Sequence, residues 1–236
     1  MKYAGGVLSL EKLHNGFTLE ICEGAFPLST DSIALSGFAK LPKNAKVLDL
    51  GSGCGTLGVL LCAKDNNCAV TGVEIDPAAH EAALTNISRN GLGDRMQSIC
   101  ADLKSVSFPQ GSFDVCISNP PYFSGGPASM AHATARREDL CAAEDLFLAA
   151  ARALKYGGDF FLVHKPEKLA HLIACGAKCG MEAKRLLLVR HKEGSEISLI
   201  LLSLRKGGKP GLMLEEAALF DKNDHPTDFY KAVYHL

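Results

Sequence analysis

From Ala45 onward, apolar residues fall into two kinds of run that alternate along the chain. Short apolar blocks bounded by glycine, proline or charge read as buried strands, and longer stretches with apolar positions every three or four residues read as helices. Strands are expected at Lys46–Leu50, Cys68–Ile75, Met96–Cys100, Phe113–Ser118 and Asp159–His164. Helices are expected at Thr56–Asp65, Pro77–Asn90, Glu138–Leu154 and Pro166–Cys179. Pro77 suits a first helical turn, Gly91 suits a helix C-terminus, and Gly157-Gly158 is read as the stop of the Glu138 helix. Two further strands, Ala183–His191 and Glu196–Arg205, are joined through Glu193-Gly194-Ser195. That link is too short for a parallel crossover, so they form an antiparallel pair.

Before Ala45 the pattern changes. Val7-Leu8-Ser9-Leu10 and Phe17-Thr18-Leu19-Glu20-Ile21 alternate as strands do, with His14-Asn15-Gly16 as the turn between them. A helix is expected from Asp31 to Lys40, capped by Ser29 or Thr30 and ended by Pro42. The chain therefore reads as residues 1–41, an extension packed on the core, and residues 42–236, one α/β domain with a doubly wound, Rossmann-like sheet that closes on a C-terminal antiparallel pair.

Composition narrows the picture modestly. The 236 residues are 47% hydrophobic and 22% charged, ordinary for a soluble domain. The net charge of −1 excludes a globally basic nucleic-acid binder, so any such contact must use a local patch. Nothing resembles a signal peptide and no apolar run reaches membrane-spanning length, so a cytoplasmic protein without a membrane partner is expected. The sequence leaves the oligomeric state open, a monomer included. Nine cysteines, an odd number, argue against a disulfide framework. Cys175 and Cys179 lie one helical turn apart but lack a second pair at zinc-like spacing, so no metal site is expected.

Two motifs carry chemistry. Asn119-Pro120-Pro121-Tyr122 follows the strand Phe113–Ser118, at the sheet edge where open α/β sheets bind ligands. Two prolines fix two φ angles and stiffen the turn. The Asn119 amide can accept a hydrogen bond from an –NH2 group, and the Tyr122 ring offers a stacking face. The set suits a flat substrate with an exocyclic amine.

Upstream, the strand ending Val47-Leu48-Asp49-Leu50 runs into Gly51-Ser52-Gly53-Cys54-Gly55. Residues Gly53 to Gly58 match G-x-G-x-x-G literally, a weak pointer to NAD. The glycine that closes the strand is Gly51, however, which gives G-x-G-x-G preceded by Asp49. A carboxylate there is awkward for a pyrophosphate and suits a cationic ligand bearing an ammonium or sulfonium, such as S-adenosylmethionine. Glu74, ending the next strand, can accept both ribose hydroxyls of either cofactor. Asp102, after the third strand, can accept a bond from an adenine amine.

Val47 to Gly55, Glu74, Asp102 and Asn119 to Tyr122 resemble, in order, the motifs of class I S-adenosylmethionine-dependent methyltransferases of the amino-methylating type, over about Leu41 to Arg205. Phe26-Pro27-Leu28-Ser29-Thr30-Asp31, Ala135-Arg136-Arg137-Glu138 and Lys206-Gly207-Gly208-Lys209-Pro210 are similar to segments of the bacterial tRNA (valine) adenine-N6 methyltransferase family, which modifies the adenine beside the anticodon. That family leads one to expect Ala-Arg-His-Glu where this chain has Ala135-Arg136-Arg137-Glu138. The resemblance implies a methyltransferase sheet, S-adenosylmethionine as cofactor, tRNA as partner and methyl transfer to adenine N6. It assigns Asn119, Pro120, Pro121 and Tyr122 to catalysis, and Asp49, Gly51, Gly53, Gly55, Glu74, Asp102 and again Asn119 to the cofactor.

Tyr122, Arg136, Arg137, Lys206 and Lys209 are the candidate RNA contacts; solvated surface charge is the plainer reading of the four cations. Other acceptors fit the tetrapeptide too, namely a glutamine side-chain amide or guanine N2. A glutamine-directed enzyme is expected to carry a larger helical recognition domain than the one before Leu41. A non-catalytic binding module would have no need of an amine acceptor, and Asp49 disfavours a nicotinamide oxidoreductase.

Overall fold

The computed structural model describes residues 7–13, 16–22, 28–120 and 143–234. Strands β1 (Val7–Lys12) and β2 (Thr18–Cys22) form an antiparallel hairpin. Helix α1 (Thr30–Phe38) follows, with Ser29 as its N-cap. The core then alternates β3 (Lys46–Leu50), α2 (Thr56–Lys64), β4 (Ala69–Glu74), α3 (Pro77–Arg89), β5 (Met96–Cys100) and β6 (Phe113–Ser118). Helix α4 (143–153), β7 (Leu154–His164), a single 3-10 turn at Pro166–Lys168, α5 (Leu169–Lys178), β8 (Met181–Lys192), β9 (Ile197–Lys206), β10 (Met213–Phe220) and α6 (Asp228–Tyr234) complete the described chain.

The main sheet has eight strands in the order β10-β8-β9-β7-β6-β3-β4-β5. Strands β7, β6, β3, β4 and β5 run parallel, and β9 is antiparallel to both β7 and β8. Parallel strands are buried on both faces, and β3 and β6 follow this rule. Val47, Val115 and Ile117 pack into a layer with α1 and α2, whereas Leu48, Leu50 and Cys116 pack toward α4 and α5. The sheet order reverses between β3 and β6, which places a ligand crevice at their carboxyl ends.

The structure departs from the expected pattern at three places. The sheet does not end on the antiparallel pair, because β10 adds to β8 in parallel. Its run Met213–Phe220 lacks clean alternation, since Glu215 and Glu216 sit mid-strand and pair with Arg185 and Arg190 of β8. Secondly, Gly157-Gly158 does not stop a helix. Helix α4 ends at 153 and β7 begins at Leu154, opposite Phe113. A register shift follows, and a Cβ on Gly158 would come within 2.8 Å of the Asp114 carbonyl, so only glycine fits there. Thirdly, α6 was unforeseen; it packs on α1, with Val233 against Gly37.

The hairpin is tied to α3 by side chains that imitate a strand. Asn86 accepts from the Glu20 N–H and donates to the Glu20 carbonyl; Asn90 does the same for Thr18. The Thr18 and Glu20 backbone groups, on the edge of β2 away from β1, thus find partners without a second neighbouring strand. Among the described residues no helix is long and apolar enough to cross a membrane.

Candidate active site

The carboxyl ends of β6, β3, β4 and β5 lie side by side, so Asn119, the glycine loop, Glu74 and Asp102 form a row along one sheet edge. Three strand spacings separate its ends, roughly 14 Å. The loop after β3 is bound to β4 through the N–H groups of Gly51 and Ser52, which donate to the Val73 carbonyl at 2.9 and 3.0 Å. Gly51, Gly53 and Gly55 all adopt positive φ, at 72°, 54° and 83°. Gly55 is doubly constrained, since a Cβ there would also press within 2.9 Å of the Met96 side chain.

Glu74 fixes the centre of the row. Its Oε2 accepts the Gly53 N–H at 2.7 Å and its Oε1 accepts the Asp76 N–H at 2.9 Å. Asn86, fully buried, donates its Nδ2 to the Cys54 carbonyl at 2.9 Å as well as to β2. One buried amide therefore joins the N-terminal hairpin to the glycine loop.

Asp49 is fully buried, and neither of its carboxylate oxygens makes a well-formed hydrogen bond; the Gly58 backbone N–H approaches the carboxylate without the geometry of one. Burial pushes its pKa from the ordinary 3.8 up to about 7, and the nearby Glu74 charge pushes the same way, while the Gly58 backbone amide opposes them. Ser52 Oγ is also buried without a partner. Unmet buried polar atoms are costly. Three of them, two on a residue just before the glycine loop and one within it, fit a site whose ligand supplies the missing partners. A cationic amine or sulfonium fits the Asp49 charge.

Asp102 is half-buried and shapes the turn after β5: its Oδ1 accepts the Lys104 N–H at 2.9 Å. At the other end of the row, Ser118 Oγ donates to the Leu50 carbonyl at 2.7 Å and binds β6 to β3. Asn119 follows, and its Nδ2 donates to Ser32 Oγ on α1 at 3.0 Å. Pro120 is the last described residue of this segment; Pro121, Tyr122, Arg136 and Arg137 lie outside the described residues.

Thus Asp49, Gly51, Gly53, Gly55, Glu74, Asp102, Asn119 and Pro120 share one edge. Lys206 and Lys209 do not join them. Strand β9 runs opposite to β7, so its end lies at the other edge of the sheet. Lys206 Nζ donates to the carbonyls of Ala151 and Leu154 at 2.6 and 2.8 Å and caps the carboxyl end of α4. Lys209 is exposed there, its carbonyl accepting from Lys184 Nζ.

Ser32, Ser52, Asn86 and Ser118 were not anticipated. For Asn86 a signal existed: asparagine is a poor interior helix residue, and Asn86 and Asn90 stand one turn apart on α3. The serines carry no comparable mark.

Comparison with known proteins agrees with this geometry. Residues 32–174 match the methyltransferase small domain family. A Shewanella sp. (strain MR-4) protein named tRNA1(Val) (adenine(37)-N6)-methyltransferase is 31% identical, covering 80% of this chain and 82% of the relative. A Bacteroides fragilis (strain YCH46) protein of the same name is 29% identical, covering 92% and 94%. Among solved structures, an Agrobacterium tumefaciens protein described as a predicted O-methyltransferase superposes with a TM-score of 0.74 at 20% identity, covering 87% of this chain and 96% of that one. A Streptomyces coelicolor geranyl diphosphate C-methyltransferase, solved with S-adenosyl-L-homocysteine, superposes at 0.56 with 12% identity, covering 74% and 78%. These two structures show the shared fold. The glycine loop, the acidic row and the match over residues 32–174 lead to one assignment: this chain belongs to the methyltransferase small domain family.

Proposed function

We propose that this chain transfers a methyl group from S-adenosylmethionine to the exocyclic N6 amine of an adenine in tRNA, the adenine beside the anticodon. The single observation that carries the reading is the row itself, with a buried carboxylate at Asp49 that lacks a well-formed hydrogen bond and an amine-accepting amide at Asn119 one strand away. The relatives' names support tRNA and adenine 37 as the substrate.

In this reading Asp49 faces the cofactor's cationic portion, Glu74 its ribose hydroxyls and Asp102 its adenine. When bound, S-adenosylmethionine supplies an electrophilic methyl group on a sulfonium. The residues of the chain then act on the acceptor. The adenine N6 lone pair is delocalised into the ring, so the amine is a poor nucleophile. Asn119 Oδ1 and the Pro120 carbonyl accept its two N–H bonds, draw the nitrogen toward tetrahedral geometry and stabilise the positive charge that grows on attack. The proton becomes acidic only afterwards, so no strong base is needed beforehand. Tyr122 stacks on the base, which leaves its own stack to enter the site, a contact worth about 1–3 kcal/mol. Arg136 and Arg137 supply phosphate contacts.

The test is to incubate the protein with methyl-labelled S-adenosylmethionine and total bacterial tRNA, digest, and identify the labelled nucleoside. N6-methyladenosine that disappears in Asn119→Ala is expected. Label in guanosine, or in added protein, would transfer the acceptor to guanine N2 or glutamine.

A further inference from the structure

We infer that Ser32 is a positioning residue for the acceptor amide: its hydroxyl, bonded to Asn119 Nδ2, holds the side chain in the orientation that leaves Oδ1 facing the amine. The inference rests on the adenine-N6 reading above and adds a residue to it.

The need for such a residue follows from the shape of asparagine. Its amide oxygen and nitrogen are nearly the same size, and the terminal torsion is broad and close to two-fold. The prolines after Asn119 stiffen the backbone but leave that torsion unset. If the amide turned over, a donor would meet the donor N–H of the substrate, and attack would lose its acceptor. A serine hydroxyl donates as well as accepts, so it does not by itself forbid the turned amide, but a hydrogen bond to one end of the amide fixes its plane and carries the other end toward the substrate.

Ser32 makes that bond. Asn119 Nδ2 donates to Ser32 Oγ at 3.0 Å, which turns Oδ1 away from α1. Ser32 is buried, with 6% of its surface exposed, so water competes poorly for the contact. The hydroxyl is itself held. The Ser32 N–H donates to the N-cap oxygen Ser29 Oγ at 3.3 Å, and Ser29 Oγ donates back to Ser32 Oγ at 3.5 Å. Helix α1 is anchored at both ends. Thr30 Oγ1 lies 3.0 Å from Tyr234 Oη on α6, and Lys64 Nζ donates to the Ser36, Gly37 and Ala39 carbonyls. The contact therefore reaches Asn119 from a rigid element separate from the sheet that carries its backbone.

The experiment uses the full chain with tRNA and labelled S-adenosylmethionine in single-turnover mode. Wild type, Ser32→Ala, Ser32→Thr, Asn119→Ala and the double variant Ser32→Ala/Asn119→Ala are compared. Binding of S-adenosylhomocysteine and the melting temperature are measured alongside. Ser32→Ala is expected to lower the transfer rate about ten- to a hundredfold, the scale of a mispositioned reacting group. Its cofactor Kd stays within about twofold and its melting temperature within about 4 °C. Ser32→Thr, which keeps the hydroxyl, recovers most of the rate, and the double variant is no slower than Asn119→Ala, because the two residues act as one unit. An unchanged rate in Ser32→Ala overturns the inference. So does a loss matched by weaker cofactor binding or by unfolding, a threonine variant as slow as the alanine one, or an additive double variant. If the wild type forms no N6-methyladenosine, both readings fall; if it does and Ser32→Ala matches it, only the role of Ser32 falls.

Discussion

Glu74 Oε2 accepts the backbone N–H of Gly53 at 2.7 Å, so the carboxylate proposed for the ribose also fixes the loop that would carry the rest of the cofactor. Its other oxygen accepts the Asp76 N–H. Bonds to a charged acceptor are worth about 1.5–3 kcal/mol each. Glu74→Ala should therefore weaken S-adenosylhomocysteine binding by about ten- to a hundredfold in calorimetric titration. Glu74→Gln, which keeps one acceptor oxygen, should fall between. Equal affinity in all three proteins would leave Glu74 as a loop anchor with no part in binding.

Glu74 also bears on Asp49, whose pKa burial and the Glu74 charge raise from 3.8 to about 7. The sign follows from proton counting. The folded protein holds this proton more tightly than the unfolded chain, so the Asp49 contribution to stability is fully present below pH 3.8 and is lost as the pH rises to about 7. A cationic ligand reverses the balance, because it favours the ionised carboxylate. The rise in melting temperature caused by S-adenosylmethionine should thus be larger at pH 8 than at pH 6. Asp49→Asn should flatten that difference and weaken binding at both values. Thermal shift across a pH series at constant ionic strength reads it directly; a pH-independent shift in the wild type would remove Asp49 from the cation's environment.

Asn86 spends its amide on three backbone groups: the Glu20 N–H, the Glu20 carbonyl and the Cys54 carbonyl. Removing it strands polar groups beneath the hairpin and beside the glycine loop. Asn86→Ala should cost about 2–4 kcal/mol in urea unfolding. It should also loosen the loop, so cofactor affinity should fall although Asn86 lies outside the row. Full affinity with lost stability would confine Asn86 to holding the hairpin.

Legibility in the sequence tracked whether a residue's task was local. Strands β3 and β6 match their expected bounds, because a parallel strand buried on both faces writes a nearly continuous apolar run. Gly51 and Glu74 were legible because turn geometry and strand ends constrain residue type locally. Strand β10 was not, since its central glutamates are neutralised by Arg185 and Arg190 of a neighbour 30 or so residues upstream. Ser32 was illegible for the same reason: its partner Asn119 is 87 residues away, and nothing near Ser32 announces it.

Lys206 shows the opposite case, in which a local pattern suggests one role and the tertiary structure provides the residue with another. The Lys206-Gly207-Gly208-Lys209 loop looks like a phosphate clamp, yet Lys206 Nζ donates to the Ala151 and Leu154 carbonyls at the edge of the sheet away from Asn119. An ammonium placed there satisfies carbonyls left open at a helix end and complements its dipole. Lys206→Met keeps the aliphatic stem and removes only the charge and donors. It should lower stability by about 1–3 kcal/mol while leaving kcat/KM for tRNA within about twofold. Lys209→Ala, at an exposed position, should change neither. Melting curves and steady-state methylation of the same preparations separate the alternatives. A Lys206→Met protein that melts normally but binds tRNA poorly, with a salt dependence shallower by about one phosphate contact, would return this loop to the RNA interface and extend the substrate across both edges of the sheet.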